Sequence, residues 1–198
     1  MKEIWQNAKQ NKEILYFKNF QKPTITWDEV LKFVYDLSKI PNENMQKRSG
    51  WTSAVTIGSI LAHNGYFLFD ENNLFKVFDG IRELMSKVND GNSGEGCMYY
   101  TETGRGNCNC GAFWHMQALR FSITDHSVSD HNDPNDVLYW QVLGNSHWIM
   151  NKDKEYILEP GDLLYFNQED SHEVLQDGPR AGIIIDGKKK DAQYGSIR

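Results

Sequence analysis

The sequence predicts a mainly β protein with its helices gathered in the first half, a sandwich or barrel folded as one domain. Three observations carry this. From residue 112 onward the chain is a succession of short apolar runs, at 112–123, 137–143, 147–150, 156–158, 163–166, 173–175 and 181–185, separated by Asp, Asn, Gly and Pro. Aromatic residues make up 13% of the chain, with six Trp and nine Tyr, which suits half-buried sheet surfaces. A length of 198 residues falls within one domain that can bury a real core. A single domain over 1–198 is expected, with 1–110 as helical and loop support carrying edge strands and 111–186 as the β core.

Residues 1–12 are polar, with room for a helical turn, and the apolar run 13–17 reads as an edge strand ended before Pro23. Thr26 followed by Glu29 is a capping box, and Val30, Leu31, Val34, Tyr35 and Leu37 recur at helical spacing as far as Pro41. Residues 42–50 are loop-like, and 51–69 fit helix or strand equally. Leu74, Phe75, Val77, Phe78, Ile81, Leu84, Met85 and Val88 define a second amphipathic helix, entered through Asn72 and Asn73 and closed by Asn89-Asp90-Gly91. Such helices pack on the outside of a sheet. The segment 91–111 is glycine-rich around the run 97–101. Its Gly94-Glu95-Gly96 and Gly104-Arg105-Gly106 have no helix after them and so are not phosphate cradles. The basic tail around Lys188-Lys189-Lys190 reads as a solvated end.

The net charge of −6 and a pI near 5.5 make nucleic acid a less expected partner, because a polyanion is not drawn to an acidic surface. No apolar run approaches the roughly 20 residues that span a bilayer. Three cysteines, Cys97, Cys108 and Cys110, and an opening segment without an apolar signal region point to a reduced, cytoplasmic protein. Cys108-Asn109-Cys110 invites a zinc reading. A structural zinc site wants four ligands in paired spacings, however, and only Cys97 and His115 lie nearby, so plain loop thiols are expected.

The chemistry concentrates between residues 131 and 172. His131 and Asp133, two residues apart, point to the same side of an extended strand and can hold one ion, with His172 from a later strand as the third ligand. Two imidazoles and one carboxylate that leave other positions open form the ligand set of non-haem Fe(II) oxygenases. Pro160-Gly161-Asp162 makes the turn before the buried run 163–166, and the polar residues 167–171 make the turn that delivers His172. His126 and His147 do not share the His-x-Asp spacing and are read as non-ligands.

The block 131–148, HNDPNDVLYWQVLGNSHW, resembles the iron-binding block of the JmjC-type and cupin-like 2-oxoglutarate oxygenases: His131-x-Asp133, an apolar strand, Gln141-x-x-Gly144, then Trp148. The block PGDLLYFNQEDSHEV resembles the second cupin motif, keeping the spacing of Gly161 and His172 but with Asn167 and Glu169 where Pro and Gly are usual. His-x-Asp stands in place of the cupin His-x-His, and Val137-Leu138 stand where a glutamate ligand is usual, which favours the oxygenase branch over cupin isomerases and oxalate enzymes. The resemblance covers about the last 90 residues.

It implies a double-stranded β-helix, or jelly-roll, barrel with His131, Asp133 and His172 as ligands of Fe(II). It also implies 2-oxoglutarate as co-substrate, chelating through its 1-carboxylate and 2-oxo group, and O2 as oxidant. The product of the co-substrate would be succinate and CO2, and the substrate a protein, peptide or amino-acid-like molecule to be hydroxylated. A non-catalytic module that holds a metal or small acid, and a cupin-type isomerase, are the alternatives.

The 5-carboxylate of 2-oxoglutarate needs a cationic or hydroxyl partner. JmjC-type members commonly carry Lys or Arg two residues after the glycine of the Gln-x-x-Gly strand, and Ser146 stands there. Other members carry an Arg about ten residues after the distal His, and Arg180 follows His172 by eight. Arg180 is thus the favoured anchor, with Ser146 as a further hydrogen-bond donor. Tyr139 and Gln141 share a strand face and are expected to line the cavity. Trp148 is expected in the core, and Arg120, His115 and Gln117 are candidate substrate contacts.

Overall fold

The computed structural model describes residues 1–38, 65–69, 78, 80–93, 112–122, 128–133, 135–175 and 178–187, and the side chains of 34–38, 65–69, 115–118, 128 and 186 are left aside. Helix α1 spans Lys2–Asn11, α2 Trp27–Ser38 and α3 Ile81–Val88. The strands are β1 Leu15–Phe17, β2 Gly65–Phe69, β3 Trp114–Ser122, β4 Val128–Asn132, β5 Val137–Leu143, β6 Ser146–Met150, β7 Lys154–Leu158, β8 Leu163–Phe166, β9 Ser171–Leu175 and β10 Arg180–Gly187.

They form a large sheet, in the order β1-β8-β5-β10-β3-β2, and a small sheet, β4-β9-β6-β7, with every paired strand antiparallel. The fold is mostly β with few helices, as expected. Among the described residues no ladder joins the two sheets into a closed barrel.

Each face of the large sheet buries a different core. Leu138, Trp140, Val142, Leu119, Phe121, Ile183 and Ile185 point one way and pack with Trp5, Val30, Phe33, Leu84 and Met85 of the three helices. Val137, Tyr139, Leu164, Phe166 and Ile184 point the other way and pack with Trp148, Met150, Leu158 and Val174 of the small sheet. A strand buried on both faces reads as a near-continuous apolar run, and this is why β5, VLYWQVL, shows no alternation. By contrast β6, which covers only one core, alternates buried and half-buried residues.

Helix α1 is a complete helix rather than a turn. Its polarity hides it, because only Trp5 and Ala8 are buried. Trp5 is fully buried, donates its indole N–H to the Val88 carbonyl (2.9 Å), and sits edge-on to Trp114. Truncating such a residue typically costs about 3–5 kcal/mol. The capping box of α2 forms as read: Glu29 N–H donates to Thr26 Oγ1 (3.3 Å) and Thr26 N–H to Glu29 Oε2 (2.8 Å). Helix α3 is shorter than the periodicity predicts. Gly80, at φ +86°, is its N-cap and Phe78 lies in a bend, so the helix begins only after them. Leu74, Phe75 and Val77, with Asn72 and Asn73, lie outside the described residues, as do residues 42–64, the three cysteines, His126 and the basic tail.

Strand β4 departs from the sequence reading, which placed no apolar run there. Val128–Asn132 is a polar strand at the edge of the small sheet, and an edge strand with exposed residues carries no hydrophobic signature. No helix among the described residues is long and apolar enough to cross a membrane.

Candidate metal centre

The pairing of β4 with β9 sets His131 directly opposite His172, and Asp133 follows at the end of β4. One donor atom from each of His131, Asp133 and His172 lies within 4.8 Å of the other two. His131 Nε2 is 3.9 Å from Asp133 Oδ1, and His172 Nε2 is 3.6 Å from Asp133 Oδ2. These gaps are too long for hydrogen bonds and close to the spacing of atoms that share one ion. His131 Nδ1–H donates to the Ser129 carbonyl (2.8 Å), which leaves a lone pair on Nε2 facing Asp133.

His172 is 2% exposed and packs against the rings of Phe166, at 4.6 Å, and Trp148, at 5.5 Å. Burial, then repulsion from His131, lower its pKa to about 4. The nearby Asp170 backbone opposes this, although Nδ1 makes no hydrogen bond of ordinary geometry. The imidazole is therefore neutral at pH 7, the form that ligates metals. Desolvation raises the pKa of Asp133, with His131 and then Arg120 pulling it back. A divalent cation favours the neutral imidazole and the ionised carboxylate together, so the donor set fits such an ion.

The inner face of the large sheet, which packs against the small sheet that carries the triad, holds the other candidate residues. Tyr139 is buried with its ring 4.6 Å from that of Trp148. It lies over Gly182 of β10, where a Cβ would come within 2.2 Å of the tyrosine Oη. Gly182 was not singled out in the sequence. Its signal was a glycine inside the run Ala181-Gly182-Ile183-Ile184-Ile185, which often marks a close approach.

Gln141 and Ser146, both buried, form a closed relay. Trp148 Nε1–H donates to Ser146 Oγ (2.8 Å), Ser146 Oγ–H donates to Gln141 Oε1 (2.7 Å), and Gln141 Nε2 donates to the carbonyls of Leu143 (2.8 Å) and Gly144 (2.9 Å). The hydroxyl proton of Ser146 is thus held by Gln141. Gly144 permits the next strand to start here: a Cβ on it would lie 2.0 Å from the Pro179 carbonyl, just ahead of Arg180.

Arg180 opens β10 opposite Ser122 and is 3% exposed. It shares the inner face with Gly182 and Ile184, and burial lowers its pKa, with the neighbouring Tyr139 opposing. Among the described residues no carboxylate forms an ion pair with it. Arg120, on β3, pairs across with Gly182, and its Nε is buried without a hydrogen-bond partner. His147 lies apart, its Nε2 3.1 Å from Glu155 Oε2. The side chains of His115 and Gln117 are outside the described set.

No protein-family model and no curated protein matches the sequence. Solved structures do match by fold. The ribosomal oxygenase YcfD from Escherichia coli, in complex with cobalt and 2-oxoglutarate, superposes with a TM-score of 0.60 over 96% of this chain and 52% of that one, at 16% identity. The fold is similar to that of YcfD. The same oxygenase with cobalt and succinic acid gives a TM-score of 0.58 at 15% identity, again over 96% of this chain and 52% of that one. This chain therefore spans about half the length of the YcfD structures.

Proposed function

We propose that the protein is an Fe(II)- and 2-oxoglutarate-dependent dioxygenase on a double-stranded β-helix, hydroxylating a protein, peptide or amino-acid-like substrate. The supporting observation is the pairing of an open His131, Asp133, His172 triad on the small sheet with a buried Arg180 on the large sheet that has no carboxylate partner among the described residues. The fold shared with an oxygenase solved with cobalt and 2-oxoglutarate supports the same reading.

His131, Asp133 and His172 would hold Fe(II). Bound there with 2-oxoglutarate and O2, the iron supplies oxidative decarboxylation to succinate and CO2 coupled to substrate hydroxylation. Arg180 receives the 5-carboxylate with its planar fork, a charge-assisted contact strengthened by burial. Tyr139 walls the co-substrate's path. Gln141 and Ser146 hold that wall in register, with Ser146 acting through Gln141 and Trp148. Phe166 and Trp148 fix the ring of His172 and keep water from its buried side.

The test is 2-oxoglutarate consumption by iron-loaded protein with ascorbate, read as succinate. Asp133→Ala abolishes succinate, and Arg180→Met raises the 2-oxoglutarate KM at least ~10-fold while iron affinity stays within about 3-fold. Protein that never consumes 2-oxoglutarate with peptide and small-molecule panels is a non-catalytic binding module. Turnover that persists without O2 and 2-oxoglutarate makes it an isomerase.

A further inference from the structure

Arg120 is a second cation on the inner face that the co-substrate does not account for. Its neighbours Leu119 and Phe121 pack toward the helices, so alternation along β3 turns Arg120 toward the space between the sheets. It stands opposite Gly182, over which the phenol of Tyr139 lies, so the strand partner itself supplies no side chain to pair with it. The register sets Arg120 two residues before Ser122, the partner of Arg180, so the two arginines lie on neighbouring strands of the same face. Among the described residues it makes no ion pair, and its buried Nε has no hydrogen-bond partner.

A half-buried guanidinium whose Nε has no partner is costly to leave without a counter-charge, and the buried Arg180 on the same face adds a second positive charge. A divalent metal outweighs the carboxylate of Asp133 by one charge, and Arg120 and Arg180 add one each. On the oxygenase reading above, on which this inference rests, 2-oxoglutarate neutralises two of these three. Among the described residues, one positive charge is left over beside the metal.

We infer that Arg120 is the recognition point for a carboxylate on the primary substrate, so that the site selects an acidic amino acid or the acidic side chain of a peptide. The guanidinium fork can donate to both oxygens of a carboxylate, whereas the matching amide offers one acceptor and an N–H2 group that faces the cation unfavourably. Discrimination between acid and amide is therefore expected to be large.

The test is calorimetric titration of protein loaded with Mn(II) and saturating 2-oxoglutarate. The probes are L-aspartate against L-asparagine, L-glutamate against L-glutamine, and N-acetylated, C-amidated peptides differing by Asp against Asn. The wild type is expected to bind an acid at least 10-fold more tightly than its amide, and the free or peptide arm that shows this identifies the source of the carboxylate. Arg120→Met is expected to erase the preference while the 2-oxoglutarate Kd changes less than 3-fold, and Arg120→Lys to retain part of it. Equal binding of acid and amide by the wild type overturns the inference. So does an Arg120→Met variant that loses 2-oxoglutarate and keeps the preference, since Arg120 would then be the co-substrate's anchor. Failure of 2-oxoglutarate to bind, with the acid preference intact on Mn(II)-loaded protein, overturns the oxygenase reading and leaves the role of Arg120 standing.

Discussion

His131 and His172 face each other as direct cross-strand partners with ring centroids 4.2 Å apart, and Asp133 closes the gap between their Nε2 atoms. Two imidazoles this close, with a carboxylate beside both, are suited to share a cation. Mn(II) or Fe(II) at about 100 times its Kd should stabilise the protein by about 2.7 kcal/mol, seen as a rise in Tm. Asp133→Ala and His131→Ala should each abolish that rise. A rise that survives both substitutions would place the ion elsewhere.

The metal-free protein should weaken in mild acid. The folded pKa of His172, about 4, lies below its ordinary 6.5, so the unfolded chain binds more protons between those values. The stability involved is present above pH 6.5 and is lost as pH falls toward 4, on the order of 2 kcal/mol between pH 7 and pH 5. The raised pKa of Asp133 has the opposite sign and offsets part of this. Urea unfolding at the two pH values should show the loss, and His172→Gln should flatten it.

Ser146 separates two roles that are easily confused. Its removal leaves both Gln141 Oε1 and Trp148 Nε1 buried without their partner, so Ser146→Ala should cost about 2–4 kcal/mol. Affinity for 2-oxoglutarate should stay within about 3-fold, because the hydroxyl proton is held by Gln141. Intact stability with a 10-fold loss of 2-oxoglutarate affinity would instead make Ser146 the anchor.

Gly182→Ala should be destabilising by about 1–3 kcal/mol through overpacking on Tyr139. Tyr139→Phe should not rescue it, since the ring carbon Cζ would itself lie 2.3 Å from the new Cβ. Rescue requires a smaller residue such as Leu, and denaturation of the double variants distinguishes the cases.

Much of this site was legible because its parts are local. His131 and Asp133 are two residues apart, and the turn-strand-turn unit ahead of His172 advertises itself by Pro160-Gly161 and the polar residues 167–171. The strands β5 and β8 were equally plain, as each is an apolar run bounded by turn residues. What escaped depends on partners distant in sequence. Helix α1 is polar except where Trp5 and Ala8 meet the sheet, and β4 is polar because it lies at an edge. The capture of the Ser146 proton by Gln141 follows from a turn geometry that spacing alone does not reveal, and the Ser129 carbonyl that orients His131 is a backbone group with no sequence signature.

Tyr139 and Trp140 are neighbours in the chain, yet the first belongs to the cavity and the second to the helix-side foundation, where its indole donates to the Gln21 carbonyl (3.0 Å). The described apolar side chains of β5 and β10 are divided in this way between two cores that share none of them. Selection can therefore rewrite the cavity positions while the packing that anchors the large sheet is inherited unchanged, which makes the inner face a surface on which ligand preference can drift without putting folding at risk.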